Sequence, residues 1–470
     1  MIESRNSLLL SSISGGKQRM RRLIFPLCLT VASCTSSTAP YEVPTRAFSP
    51  TSPQQQPVTQ ALPSGQFKVL RSNRSIARDI LQLTFFLENG KSLDTLTRFE
   101  GPISVRVLGD APNSMHRDLN ALLTRFRDNA GIDIYHTGHA DANITLQLIP
   151  RSQIKKLVPN AACFVAPNVS GLRDYLENKS SVNSALSRLE RRTKMSIFLP
   201  SDASPQEIRD CIHEEMTQAL GPVNDLYSLT DSVFNDDNVH AILTDFDLLV
   251  LRTLYDPTLR TGMSRGEVAA RLSLILSRLN PIGDTLQGSA RAEISPKWNE
   301  LISIALGAGA SAPERIRAAE RAVVVAKKSN FQDVRLGFSY FVLGRVSIGQ
   351  NPSASRIAFE QSNAAYGKYK GTEIHRAFVA SQLAAFALSA GNSAETIAIV
   401  KPYISVASQY ENYALLSSLQ LLEAEALELA GRTSEARTVR LDSMASARYG
   451  FGSETAVQAR LREIASLSPR

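Results

Sequence analysis

Residues Ser204 to Gly221 constrain the fold of this chain more than any other stretch. Ser204-Pro205-Gln206-Glu207 supplies a capping serine, a first-turn proline and an acidic residue three positions after the cap, and Gly221 supplies the stop. A helix is therefore fixed at both ends. Within it runs His213-Glu214-Glu215-Met216-Thr217-Gln218, and past the glycine come Pro222-Val223-Asn224-Asp225. Positions i and i+4 share a helix face, which sets Glu214 beside Gln218.

The segments before this helix alternate between strands and helices. Pro102 to Leu108 has the alternation of a strand. Asn113 to Asn129 predicts an amphipathic helix with Met115, Leu119, Leu122, Leu123 and Phe126 on one side, closed by Gly131. Ile132 to Tyr135, Asn143 to Ile149, Ala161 to Ala166 and Met195 to Leu199 read as further strands, with a polar helix near Leu172 to Arg191. A helix from about Ser75 to Leu87 precedes them all.

Strand, helix, strands and then the bounded helix resembles the layout of the zincin metallopeptidases. Their metzincin branch carries H-E-x-x-H-x-x-G-x-x-H and then a Met-turn. Setting Gly221 on the pattern's glycine places Glu214, Gln218 and Asn224 in the three metal seats and Glu215 in the seat of the catalytic glutamate. Ser232-Val233-Phe234-Asn235 falls where the Met-turn would sit, and Leu243 to Tyr255 resembles the closing Leu-Tyr helix of the matrixin group. His213-Glu214-Glu215, Gln218, Gly221, Asn224-Asp225, a later Phe-Asn-Asp and Leu-Tyr-Asp-Pro together resemble a bacterial family known as domain of unknown function 2927. The likeness covers about Ser75 to Leu279. Members of that family are often described as lipoproteins, and it implies no established reaction.

The resemblance implies a degenerate zincin. One carboxylate and two neutral amides make a poor zinc set, and oxygen donors alone suit a hard cation better. Asp225, Asp236 and Asp237 would have to join Glu214 and Glu215 to build such a site. Without a metal, Glu215 as a general base supplies roughly 10² to 10⁴ in rate, too little for peptide hydrolysis. His213 reads as a bystander, because moving the register to use it loses the glycine. His116, His136, His139, His240 and His375 show no metal-binding spacing, and no serine or cysteine sits in an activation motif.

After Pro281 the strand signal gives way to Ala, Leu, Ser and Arg. Gly349, Gly391 and Gly431 each follow an apolar helical stretch, at spacings of 42 and 40 residues. These read as tetratricopeptide-like helix pairs that offer a concave surface to partners, with an ordinary helical bundle as the alternative. The expected architecture is thus an α+β zincin-like domain at 67–280, a mixed sheet plus the active-site-type helix, followed by an all-α repeat domain at 281–470.

Charge enters the argument at the other end of the chain. The formal net charge is +8, but Arg5, Lys17, Arg19, Arg21 and Arg22 precede an apolar run, Leu23 to Ala32, too short to span a bilayer. A basic flank and an apolar core make a secretion signal. Its end, Val31-Ala32-Ser33-Cys34, resembles a lipoprotein lipobox, with translation starting at Met1 or Met20. Removal of 1–33 leaves 47 Lys/Arg against 43 Asp/Glu over 437 residues, a field too weak to argue for nucleic acid. Cys34 would take the lipid, and Thr35 in the following position favours the outer membrane by resemblance. The Ser/Thr/Pro/Gln-rich stretch 34–66 reads as a disordered tether.

Cys28 lies in the signal. Cys163 and Cys211 then remain as a pair, forming a disulfide around a 49-residue loop in an oxidising periplasm, or else two buried thiols. The expected protein is a periplasm-facing, membrane-anchored lipoprotein that binds a cell-envelope protein or peptide through its helices. A peptidase-like hydrolase with an atypical metal set is the rival.

Overall fold

The computed structural model describes residues 45–47 and 69–469, apart from 160, 180–184, 230, 236, 238, 289–294, 308, 330 and 332. Cys34, the signal 1–33 and most of the tether 34–66 lie outside those residues. Three residues of the stretch read as a tether are described. Thr45–Ala47 forms a strand, β1, antiparallel to Ala161–Pro167 (β5). All of β5 is buried, and pairing its outer edge satisfies backbone groups that would otherwise lie exposed at a sheet border.

The remaining strands are Ile103–Leu108 (β2), Ile134–His136 (β3), Ile144–Ile149 (β4) and Met195–Pro200 (β6). They form one mixed six-stranded sheet in the order β1-β5-β6-β4-β2-β3. The pairs among β3, β2, β4 and β6 are parallel, and β5 runs antiparallel to β6. Every residue of β6 is buried, as expected of a strand covered on both faces.

One face carries Asn113–Ala130 (α2) and Pro205–Leu220 (α5), whose apolar residues share a core with α1, Asn73–Phe85. Gly131 ends α2 at φ +68°, a left-handed value glycine takes freely. Arg151–Leu157 (α3) and Leu172–Asn178 (α4) lie over a smaller cluster around Phe164, Tyr175 and Phe198. The single helix expected over Leu172 to Arg191 is instead α4 and a short 3₁₀ turn at Leu186–Arg188.

Asp245–Leu254 (α6) and Arg265–Leu279 (α7) complete this part, with α7 against α1. Asn73 and Asn280 fasten the contact, each amide donating to the other residue.

From Pro296 onward the described residues hold helices and no strand. They are Pro296–Leu306 (α8), Ala312–Ser329 (α9), Arg335–Ser347 (α10), Pro352–Tyr366 (α11), Glu373–Ser389 (α12), Ser393–Gln409 (α13), Tyr413–Leu429 (α14), Thr433–Phe451 (α15) and Glu454–Ala465 (α16). The spaced glycines fall in the turns of three helix pairs, α10/α11, α12/α13 and α14/α15. Gly391 and Gly431 take left-handed φ values of +80° and +76°, and Gly349 does not. A second core built on Trp298, Phe338, Phe359 and Leu419 runs through the array.

That core also takes in Tyr227 and Val239 from the sheet-bearing part. The array does not leave its surface wholly free for outside partners, because part of it is packed against α5 and the loop that follows.

Candidate functional site

Helix α5 begins as its sequence dictates. The Ser204 side chain accepts from the Glu207 amide, and Pro205 occupies the first turn. Within α5 only Glu207 is not fully buried. A helix covered on every side must have partners on every side. The Cys163–Cys211 disulfide ties it to β5, as the paired-cysteine reading expects, at a sequence separation of 48. Its opposite face meets the array. Gln206 donates to Asn412 Oδ1 (3.2 Å) and accepts from the Ala414 amide (2.8 Å). Arg209 donates to the Glu411 carbonyl (2.8 Å) and carboxylate (3.3 Å).

The Arg209 guanidinium lies within 5.5 Å of the Tyr413 and Tyr449 ring centroids. Burial opposes its charge, but Tyr449, Asp210, Glu411 and Asp118 outweigh that and hold its pKa above the ordinary value. Tyr449 donates to Asp118 Oδ2 (2.8 Å), while burial pushes the Asp118 carboxyl up. Two aromatic and three acidic partners therefore lock α2, α5, α14 and α15 together around one cation.

The seats named from the sequence are all enclosed. Glu214 is 5% exposed, Asn224 is 7%, and Glu215 and Gln218 are at 0%. The Asn224 amide donates to the Gln82 carbonyl of α1 at 3.1 Å, so that nitrogen is committed to the fold. Both polar atoms of the Gln218 side chain are buried without a hydrogen-bond partner among the described residues. His213 accepts the Leu243 amide through Nδ1 (3.1 Å), as suits a residue positioning the following loop. Gly221 is extended, and a Cβ there would stand 3.0 Å from Leu254 Cδ1 of α6.

The turn past α5 is held by a residue that no sequence pattern marks. Arg192, 3% exposed, donates to the carbonyls of Gln218 and Ala219 (both 2.8 Å), Gly221 (2.9 Å) and Thr97 (3.0 Å). It thereby caps carbonyls at and just past the end of the helix, where intrahelical donors run out. Burial lowers the Arg192 pKa to about 10. Tyr255, at the end of α6, donates to the Leu220 carbonyl (3.0 Å).

Where the Met-turn would lie, Asp247 organises the loop. It accepts from Ser232 Oγ (2.5 Å), the Val233 amide (3.1 Å) and the Thr244 amide (2.8 Å). Burial pushes its carboxyl up to about 7, against the pull of those hydrogen bonds.

The acids proposed to join Glu214 and Glu215 around a cation are employed elsewhere or undescribed. Asp236 lies outside the described residues. Asp225 lines a cavity beside α1. Asp237 sits against the Nε2 of His375 of α12 (3.1 Å), both side chains at 2% exposure or less. His240 stacks edge-on to His375 with ring centroids 5.7 Å apart. Sequence spacing set these three apart, and only the docking of α12 onto the loop unites them. Among the described residues no three or more His, Cys, Asp or Glu gather in an arrangement that could hold a metal. The residues in the seats that the zincin pattern names do not fit zinc: the donors are one carboxylate and two neutral amide oxygens.

No described helix is long and apolar enough to cross a membrane. No curated protein and no solved structure matches the chain. Residues 73–273 match the model of a family described as protein of unknown function (DUF2927), so this segment, which holds α1 to α6 and most of α7, is similar to that family.

Proposed function

We propose that the protein is a lipid-anchored, periplasm-facing binding protein of the cell envelope, in the outer membrane, whose zincin-like domain no longer cleaves. The observation that carries this reading is the state of the three seats: Glu214, Gln218 and Asn224 are enclosed, and Asn224 is tied to the Gln82 carbonyl. A metallopeptidase needs an open coordination position and room for substrate beside it, and neither is offered by side chains at most 7% exposed. The element order of the sheet, followed by a disulfide-tied helix, supports the zincin-like ancestry, and the repeated helix-pair turns support a tetratricopeptide-like array. Faces of that array not packed on α5 would receive an envelope protein or peptide, while Cys34 would carry the membrane anchor.

A second reading, a peptidase-like hydrolase with Glu215 as general base, draws on the unpartnered Gln218 amide, a donor set left open inside the fold. Metal analysis of protein purified without chelators separates the two. The binding reading expects a folded protein without stoichiometric metal. One tightly held transition metal per chain, lost on Glu214→Ala, would overturn it. Palmitate labelling abolished by Cys34→Ser tests the anchor.

A further inference from the structure

We propose that the junction between the sheet-bearing part and the helical array binds a neutral oligosaccharide; this rests on the binding reading above and gives it a ligand class. A cavity of about 800 Å³ opens where α1, the loop 225–231 and the array meet. Its size lies within the ~300–1,000 Å³ usual for small-ligand sites.

The walls define the chemistry. Among the described residues, four cationic and four carboxylate side chains line the cavity, so their formal sum is zero. Most are already paired: Arg71 with Asp79 and with Asp231, and Arg335 with Asp333. Arg71 is also held 4.5 Å from the Phe246 ring centroid. A balanced, internally paired wall creates no net field to collect a polyanion or a cation, yet it presents rigid planar groups for hydrogen bonding.

Gln82 supplies the independent sign of a ligand. Its side chain lines the cavity, the residue is only 8% exposed, and its amide makes no hydrogen bond within the protein among the described residues. An amide that faces the cavity without a partner in the protein is available to whatever enters. It offers a donor and an acceptor together, which a sugar hydroxyl answers in kind. Ser228 and Asn299 extend that pattern around the cavity. No strand borders it, so there is no sheet edge for an extended peptide to join, and leucines at 70, 226 and 286 are the sole aliphatic lining side chains among the described residues. Glutamine, serine and asparagine along the wall give a hydroxylated ligand its hydrogen-bond partners.

Titration calorimetry on the full chain tests this with three probes: maltotetraose, tetra-N-acetylchitotetraose and trialanine. Saturable binding of an oligosaccharide is expected, weakened tenfold or more by Gln82→Leu and abolished by Ser228→Trp, with the melting temperature of both variants unchanged. Absence of oligosaccharide binding by folded protein, binding undiminished in both variants, or binding of trialanine alone would overturn the proposal. A metal-free, folded protein that binds neither sugar would sink this inference alone; a stoichiometric metal would sink the reading beneath it.

Discussion

Replacing Arg192 with methionine removes the cap from the end of α5 while keeping an unbranched apolar stem. Four carbonyls, those of Thr97, Gln218, Ala219 and Gly221, lose their donor. At about 1.5 kcal/mol for each hydrogen bond from a charged group, the loss approaches ~6 kcal/mol. Against it stands the relief of no longer burying a guanidinium. Its pKa falls from 12.5 to about 10 on burial, which corresponds to about 3 kcal/mol. The hydrogen bonds win, and Arg192→Met should destabilise the protein by about 3 kcal/mol. Urea denaturation followed by far-UV circular dichroism measures the total. Hydrogen exchange locates it, with protection lost first at 218–224 if the cap is what fixes that turn. A variant within about 1 kcal/mol of wild type, with exchange at 218–224 unchanged, would refute the reasoning. Arg192→Lys should fall between the two, since an ammonium cannot reach all four carbonyls in the guanidinium's fork geometry.

Asp247 gives a pH prediction of defined sign. Its carboxyl is raised from 3.8 to about 7 in the folded state, so the folded protein holds the proton more tightly than the unfolded chain. The resulting stabilisation is complete below about pH 4 and is lost as pH rises through 7; relative to Asp247→Asn, wild-type melting temperature should therefore rise between pH 7.5 and 5. A constant difference across that range would be contrary. Gln218→Leu removes a buried amide with no partner among the described residues and should stabilise by about 1 to 2 kcal/mol in urea denaturation; marked destabilisation would mean that a water or ion satisfies the amide. Cys163→Ala with Cys211→Ala should cost about 4 kcal/mol by loop entropy, and mass spectrometry of the non-reduced wild type should show neither thiol open to alkylation.

Local signals in the sequence carried over into the elements they specify. Ser204 and Pro205 start α5, Gly131 stops α2, and the alternation of β2 and the apolar stripe of α1 appear within a few residues of where they were expected. The buried partners of α5 were not legible, and the reason is distance along the chain. Arg192 acts on carbonyls 26 to 29 residues away, Gln206 on Asn412, and Asp118 on Tyr449, 331 residues on. Arginine, glutamine and tyrosine at such positions look like ordinary surface residues until a second body of helices covers them.

The same limit governed the candidate site. Glu214, Gln218 and Asn224 could be placed in seats by helical spacing, but whether those seats were open depended on what packed over them. The meeting of Asp237, His240 and His375 could not be read, because spacing describes neighbours on one element, and these residues meet across two. Strand β1 was hidden for another reason. Thr45-Arg46-Ala47 has no strand-like pattern of its own and is ordered by the edge of β5.

The packing of the array on α5 also has a vectorial consequence. The chain emerges N-terminus first, so the residues of the sheet and α5 are made before those that cover them. Until residues 411–449 follow, Arg209 lacks Glu411, Tyr413 and Tyr449, and Tyr227 and Val239 have no core to enter. The surface that the first 280 residues build around α5 is thus completed by partners drawn from the far end of the chain.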